Sequence, residues 1–313
     1  MGAKLVMEIR PAQENDISAI VELLKLSLGE SLMPKSEAFW RWKHSDNPFG
    51  QSPVLLAVEG SQVIGVRAFV RWAWKQGDQV YRAVRAVDTA THPEHQGKGI
   101  FKKLTLQLVE QCKQEGIDFV FNTPNKSSKP GYLKMGWLEV GRLPITVYPR
   151  LPFNGQAAEF INRYQIETVK LREFLDTHPQ LFTARQDKLT THVSKEFILW
   201  RYGCNPNIRY CWIYDPKGTY ALIFRLKPNR LGIEFRTCDV LTAPGFNRND
   251  FRQEFSEAIR LSGAFLLTCS GAFAPYRGIT LPIGPVVTQR PLNEKKSLSF
   301  AFWKPSLGDL EVF

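Results

Sequence analysis

Hydrophobic positions in the first half of the chain follow two spacings. Over 17–28 they recur three or four apart, at Ile17, Ile20, Val21, Leu24 and Leu28, which predicts one face of a helix with Asp16 as its N-cap. A second, aromatic-rich helix is expected over 36–44, stopped at Asn47-Pro48. Alternating runs predict strands over 8–12, 53–59, 62–74 and 79–91, with Glu59-Gly60-Ser61 as a tight turn. Helical spacing returns over 99–115, where Phe101, Leu104, Leu108 and Cys112 form a stripe that ends at Gly116. A strand at 117–121, a loop with one short helix, and one or two strands over 137–149 complete the set. A few helices set along a mostly antiparallel sheet make an α+β domain.

The chain then repeats itself. Phe39, Trp42, Asn47 and Pro48 align with Phe197, Trp200, Asn205 and Pro206 at an offset of 158. Arg85, Asp88 and Pro93 align with Arg236, Asp239 and Pro244 at an offset of 151. Matches in the same order at similar offsets predict two tandem α+β domains, 1–150 and 151–313, each a mixed, mostly antiparallel sheet flanked by helices. The stretch QAAEFINRYQIETVK is expected to hold the connection and the first strand of the second copy.

Composition narrows the function. At 313 residues and 43% hydrophobic, both halves can bury a core. The net charge of +11 is spread evenly: 20 Lys+Arg against 15 Asp+Glu over 1–150, and 21 against 15 over 151–313. That suits a solvated basic surface attracting small anions, with no nucleic-acid partner expected. No apolar run reaches the ~20 residues of a membrane span, and the first residues lack a secretory h-region. Five cysteines without CxxC spacing suggest reduced thiols and a cytoplasmic location. The histidines are expected to form no cluster, so no metal is expected.

Candidate chemistry sits at HPEHQGKGIFKKL (92–104), where a strand passes into a helix. Two glycines there leave room at a helix N-terminus, and free N–H groups with a positive dipole end suit a phosphate. Gln96-Gly97-Lys98-Gly99-Ile100-Phe101 resembles the (Arg/Gln)-x-x-Gly-x-(Gly/Ala) loop of the GNAT superfamily of acyl-CoA-dependent N-acetyltransferases. Downstream, Asn125, Tyr132, Gly136 and Trp137 resemble that family's second signature. The resemblance covers 8–149 and implies acetyl-CoA as acyl donor. Backbone N–H groups from Gln96 to Phe101 would then cradle the pyrophosphate, with charge from Lys98 and Lys102 or Lys103. Ala90 and Thr91 would pair with the pantetheine arm, Asn125 would open the second signature, and Tyr132 would protonate the departing thiolate. The strands ending at 91 and 121 would splay to admit the arm. Phe101, where the family keeps a small residue, is expected to turn into the helix–sheet core.

Asp88 is the candidate general base. Its recurrence as Asp239 points the other way, because the second copy has lost the loop: Gln96–Phe101 aligns with Asn247–Arg252, which has no glycine and places Asp250 where a phosphate would sit. Trp40, Trp42, Trp72 and Trp74 are candidates for stacking on a sugar or for core packing, and the recurrence of Trp42 as Trp200 favours packing. The reading that results is transfer of an acetyl group to a small-molecule amine, an amino sugar or cell-surface polysaccharide precursor among the options. The alternatives are a tandem-GNAT aminoacyl or long-acyl transferase, and a non-catalytic CoA-binding scaffold.

Overall fold

The computed structural model describes residues 6–29, 33–151, 155–183, 187–270, 276–293 and 299–310. In the first half, β1 (Met7–Pro11) is followed by α1 (Ile17–Leu28) and α2 (Glu37–His44). The antiparallel strands β2 (Val54–Glu59), β3 (Gln62–Gln76) and β4 (Gln79–Thr91) come next. Then come α3 (Ile100–Gln114), β5 (Phe119–Asn122), α4 (Lys129–Lys134), β6 (Leu138–Arg142) and β7 (Ile145–Pro149). These elements stand within a few residues of the expected ones. Two details differ. Asp16 does not cap α1 with its side chain; it accepts from Gln13 N and pairs with Arg10. Leu28, expected on the buried face, is 53% exposed.

The second half contains α5 (Ala157–Tyr164), α6 (Thr168–Thr177), β8 (Thr190–Thr191) and α7 (Lys195–Ile198), the last running into a wider π turn over Leu199–Gly203. A meander of β9 (Cys211–Tyr214), β10 (Tyr220–Asn229) and β11 (Gly232–Thr242) leads to α8 (Arg248–Ser262), β12 (Leu266–Ser270), β13 (Ile279–Leu281), β14 (Val286–Pro291) and α9 (Leu307–Leu310). The strand expected over QAAEFINRYQIETVK is replaced by α5 and α6. Phe160 and Tyr164, four apart, share a buried helical face, and only Gln165 makes a β-bridge there, to Cys211.

Two sheets result, in the orders β1-β2-β3-β4-β5-β14-β6, with β8 added to β3, and β13-β7-β12-β11-β10-β9. In each, one parallel pair (β4 with β5, β11 with β12) is joined through a helix, α3 or α8. The expected division at residue 150 does not follow the sheets. β7, from the first half, pairs with β12 and β13, whereas β14, from the second half, lies between β5 and β6. The two halves thus exchange their last strands reciprocally.

The repeated residues meet between the halves. The Trp42 and Trp200 rings stack 5.0 Å apart, and each indole N–H donates to the other's backbone carbonyl, at 2.8 and 2.6 Å. Asn47 and Asn205 make the same turn, each side-chain oxygen accepting a backbone N–H two residues on. Trp42, Trp72, Trp74, Phe121, Phe197, Trp200 and Trp303 belong to the aromatic core shared by the two sheets. Trp40 is buried with α1. A second core lies under α3, where Gly65 lets the helix approach β3: a Cβ there would come within 2.7 Å of Ile100 Cγ2.

Candidate active site

The parallel pairing of β4 with β5 ends at Arg85 and Phe121. β5 continues towards β14 through Asn122, whereas β4 runs on along β3 to Thr91. Between the diverging strands opens a cleft of about 1040 Å³, lined by residues 85–91, Gln96, Gly97, Gly99–Lys102, Asn122–Asn125, Tyr132 and Arg67. The splay expected from the sequence is therefore present. Of the expected site residues, Asp88, Ala90, Thr91, Gln96, Gly97, Gly99, Ile100, Phe101, Asn125 and Tyr132 all border the cleft.

Gly97 and Gly99 both have φ +76, in the left-handed region that favours glycine, and a Cβ on either would meet nothing within 4 Å. The loop faces open space rather than a packed wall. The hydrogen bond from Lys103 N to Gly99 O opens α3, so the N–H groups before it lie outside the helical ladder at the positive end of the dipole. The Gln96 side chain and the Ser27 hydroxyl both donate to Thr91 O, tying the end of β4 to the loop and to α1. Asn125 Oδ1 accepts from Ser128 N at 2.8 Å, which sets the turn into α4.

Three expectations change at this loop. Lys98 is not on the cleft wall; its ammonium lies 3.4 Å from His95 Nδ1, and Lys102 is the lysine that borders the cleft. Phe101 is half-buried, set edge-on to Tyr132 at 5.7 Å, and borders the cleft as well as the core. The histidines do form a group: His92, Glu94 and His95 bring possible ligand atoms within 4.8 Å of one another. The Lys98 ammonium beside them opposes a cation there.

Tyr132 is 4% exposed, on the helical turn that Pro130-Gly131 interrupts in sequence but not in structure. Its hydroxyl accepts from Arg67 Nη2 at 2.7 Å, which leaves the phenolic hydrogen free to donate. Arg67 itself is 0% exposed, and its guanidinium lies over the rings of Phe69, Phe101 and Tyr132 at 4.9 to 5.5 Å. Sequence reading missed this residue. The signal was there: one arginine inside VIGVRAFV, a strand apolar on both faces.

Asp88 sits on a β-bulge with φ +30, the one non-glycine residue of positive φ among the described residues. Its carboxylate accepts from Lys43 Nζ at 2.6 Å and contacts His44 Nε2 at 2.8 Å. Burial alone would raise its pKa; the Lys43 ammonium and the His44 bond outweigh that and hold it well below the usual carboxylate range. Burial pushes Lys43 and His44 down. A carboxylate so firmly ionised and paired is a weak proton acceptor, which supports the structural role suggested by its recurrence.

A splayed parallel pair, a glycine loop at a helix N-terminus and a tyrosine on the cleft wall are the arrangement that the sequence resemblance implies for an acyl-CoA site. Residues 8–140 match a family described as the acetyltransferase (GNAT) domain. The chain is 24% identical over 147 residues to the L-amino acid N-acyltransferase MnaT of Escherichia coli (strain K12), covering 44% of this chain and 83% of that protein. Among solved structures it is similar to a GCN5-related N-acetyltransferase from Anabaena variabilis, with a TM-score of 0.61, 16% identity and 92% of this chain matched to 73% of that one. A probable N-acyltransferase from Enterococcus faecalis matches with a TM-score of 0.63 and 8% identity, over 92% of this chain and 73% of that one. The two structural likenesses extend over both sheets, whereas the match to MnaT spans under half of the chain.

Proposed function

We propose that the protein is an N-acyltransferase that moves an acyl group, acetyl first among them, from coenzyme A to the amine of a small molecule through a single site in the first half. The observation that carries this reading is the open cleft, with the glycine loop at one end and the Tyr132 hydroxyl on its wall. In the proposed reaction the backbone N–H groups of Gln96–Phe101 and the Lys102 ammonium hold the pyrophosphate, and β4 lies along the pantetheine. The neutral amine attacks the thioester carbonyl, the C–S bond breaks, and the sulfur takes the Tyr132 proton. The attacking nitrogen, cationic once it has bonded to the carbonyl carbon, loses a proton to solvent, and the Tyr132 phenolate takes one back from solvent.

Acceptor choice has two grounds. The name of the MnaT relative makes an L-amino acid the first acceptor to test. The amino-sugar option rested on the aromatic content, and the four tryptophans that were candidates for stacking on a sugar, Trp40, Trp42, Trp72 and Trp74, are all buried. The test is acetyl-CoA turnover, read as free thiol, across L-amino acids and amino sugars, in the parent and in Tyr132→Phe. Loss of the phenolic proton should lower kcat and kcat/KM about 10²-fold while CoA affinity holds. Parent-like turnover in Tyr132→Phe would make it a packing residue.

A further inference from the structure

A buried cation without an anion is costly even after its surroundings relax. Arg67 is such a cation. No carboxylate pairs with it among the described residues, and its Nε and Nη1 have no hydrogen-bond partner there. The three rings around it recover part of the cost through cation–π contact. They do not neutralise it. Its one polar partner is the phenolic oxygen of Tyr132, which it approaches as a donor.

A negative charge does arise at that place, but only during the reaction. As the C–S bond breaks, an electron pair moves onto sulfur; as Tyr132 gives up its proton, the charge moves onto the phenolic oxygen. Resting on the assignment of Tyr132 as the acid, we infer that Arg67 is the positioning residue for that step. It fixes the Tyr132 hydroxyl with its hydrogen towards the cleft and supplies positive charge for the anion shared between sulfur and phenolic oxygen. A fixed charge of this kind, itself shielded from water, acts on the transition state and not on substrate binding. The resting protein carries the desolvation cost in exchange.

The test uses the full chain and the variants Arg67→Met, Arg67→Lys, Tyr132→Phe and the double variant Arg67→Met/Tyr132→Phe. Methionine replaces a buried charge with an apolar group of similar length, and such exchanges are often neutral or stabilising. The melting temperature of Arg67→Met should therefore equal or exceed that of the parent while kcat for acetyl-CoA falls about 10- to 100-fold at unchanged KM. Arg67→Lys should recover part of the rate. In the Tyr132→Phe background the Arg67→Met exchange should cost little more, since the two act as a unit. An acceptor-free readout accompanies these: the thiol of CoA bound to Arg67→Met should ionise at higher pH than in the parent, followed by thiolate absorbance or alkylation rate. A melting temperature that falls with the rate per folded molecule unchanged, or an unmoved thiol titration, would overturn the inference. If Tyr132→Phe turns over at the parent rate, the acid assignment fails first and the role of Arg67 goes with it. If Tyr132→Phe is slow and Arg67→Met is not, only the inference fails.

Discussion

Asp88 and Asp239 stand at matching positions of matching strands, Asp88 on its bulge and Asp239 next to one at Cys238, yet they are held in opposite states. Asp88 is ionised, paired with Lys43 and His44. At the positions 158 residues on from these two stand Arg201 and Tyr202. Arg201 turns to Tyr210 OH and Gly308 O, and Tyr202 donates its hydroxyl to Asp239. Asp239 also faces a second buried carboxylate, Asp309. Burial first and that like charge second push the Asp239 pKa up to about 7. The clefts differ in the same sense. Where β4 and β5 part there are about 1040 Å³; where β11 and β12 part there are about 200 Å³, walled by Lys304–Ser306 and Asp309. Ser270, in β12, donates to Pro305 O across that gap. One frame serves twice, open and charged in the first copy, closed by its own chain in the second.

The largest effect that would break this contrast is at Asp88. Asp88→Asn leaves Lys43 buried without its anion and should cost about 3–5 kcal/mol in thermal or denaturant unfolding, with the rate per folded molecule nearly unchanged. A variant of parent stability but low activity would return Asp88 to the role of base. Next comes the glycine loop. A ligand at a hundredfold over its Kd adds about 2.7 kcal/mol, and Gly99→Val should abolish that CoA-dependent rise in Tm. Calorimetry on the parent should show one CoA site per chain; two equivalent sites would mean that the second cleft is not closed. Gly308 is the opposite kind of glycine, since a Cβ on it would overlap the Tyr202 hydroxyl and approach Asp239 Oδ2. Gly308→Val should lower stability by about 1–3 kcal/mol and leave the CoA shift in place. The smallest effect at neutral pH is that of Asp239→Asn. Because burial holds the folded Asp239 pKa up to about 7, above the ordinary aspartate value of about 3.9, the folded state holds the extra proton between those two pH values. Stability should therefore fall as pH rises through that window, and urea titrations of Asp239→Asn should show a shallower fall.

Much of this contrast was legible in the sequence, and the reason is local. Strand alternation, the α3 stripe and the glycine loop are set by residues a few positions apart, and they appear where expected. The tandem repeat was visible because Trp42 and Trp200 face each other across the two halves. Strand exchange was not, since the alternation in β7 and β14 says which face is buried and nothing about which neighbour pairs. α5 and α6 were misread because a short segment with Phe160, Tyr164 and Ile166 fits either period. Arg67 escaped notice because buried charge is a property of packing: it takes α3 and α4, over 30 residues further along the chain, to close the site around it.

The exchange of β7 and β14 sets a schedule for synthesis. Thr288 of β14 pairs with Asn122 of β5 across 166 residues of chain, which the ribosome needs roughly 10–30 s to produce at 5–20 residues per second. Throughout that interval β5 and β6 lack the strand that belongs between them, and their free edges are open to any other extended chain. The nascent first half therefore waits as an unfinished sheet. Chains stalled before residue 286 should be the ones that aggregate or recruit chaperones, while chains that pass β14 close the acyl-CoA fold in one late step.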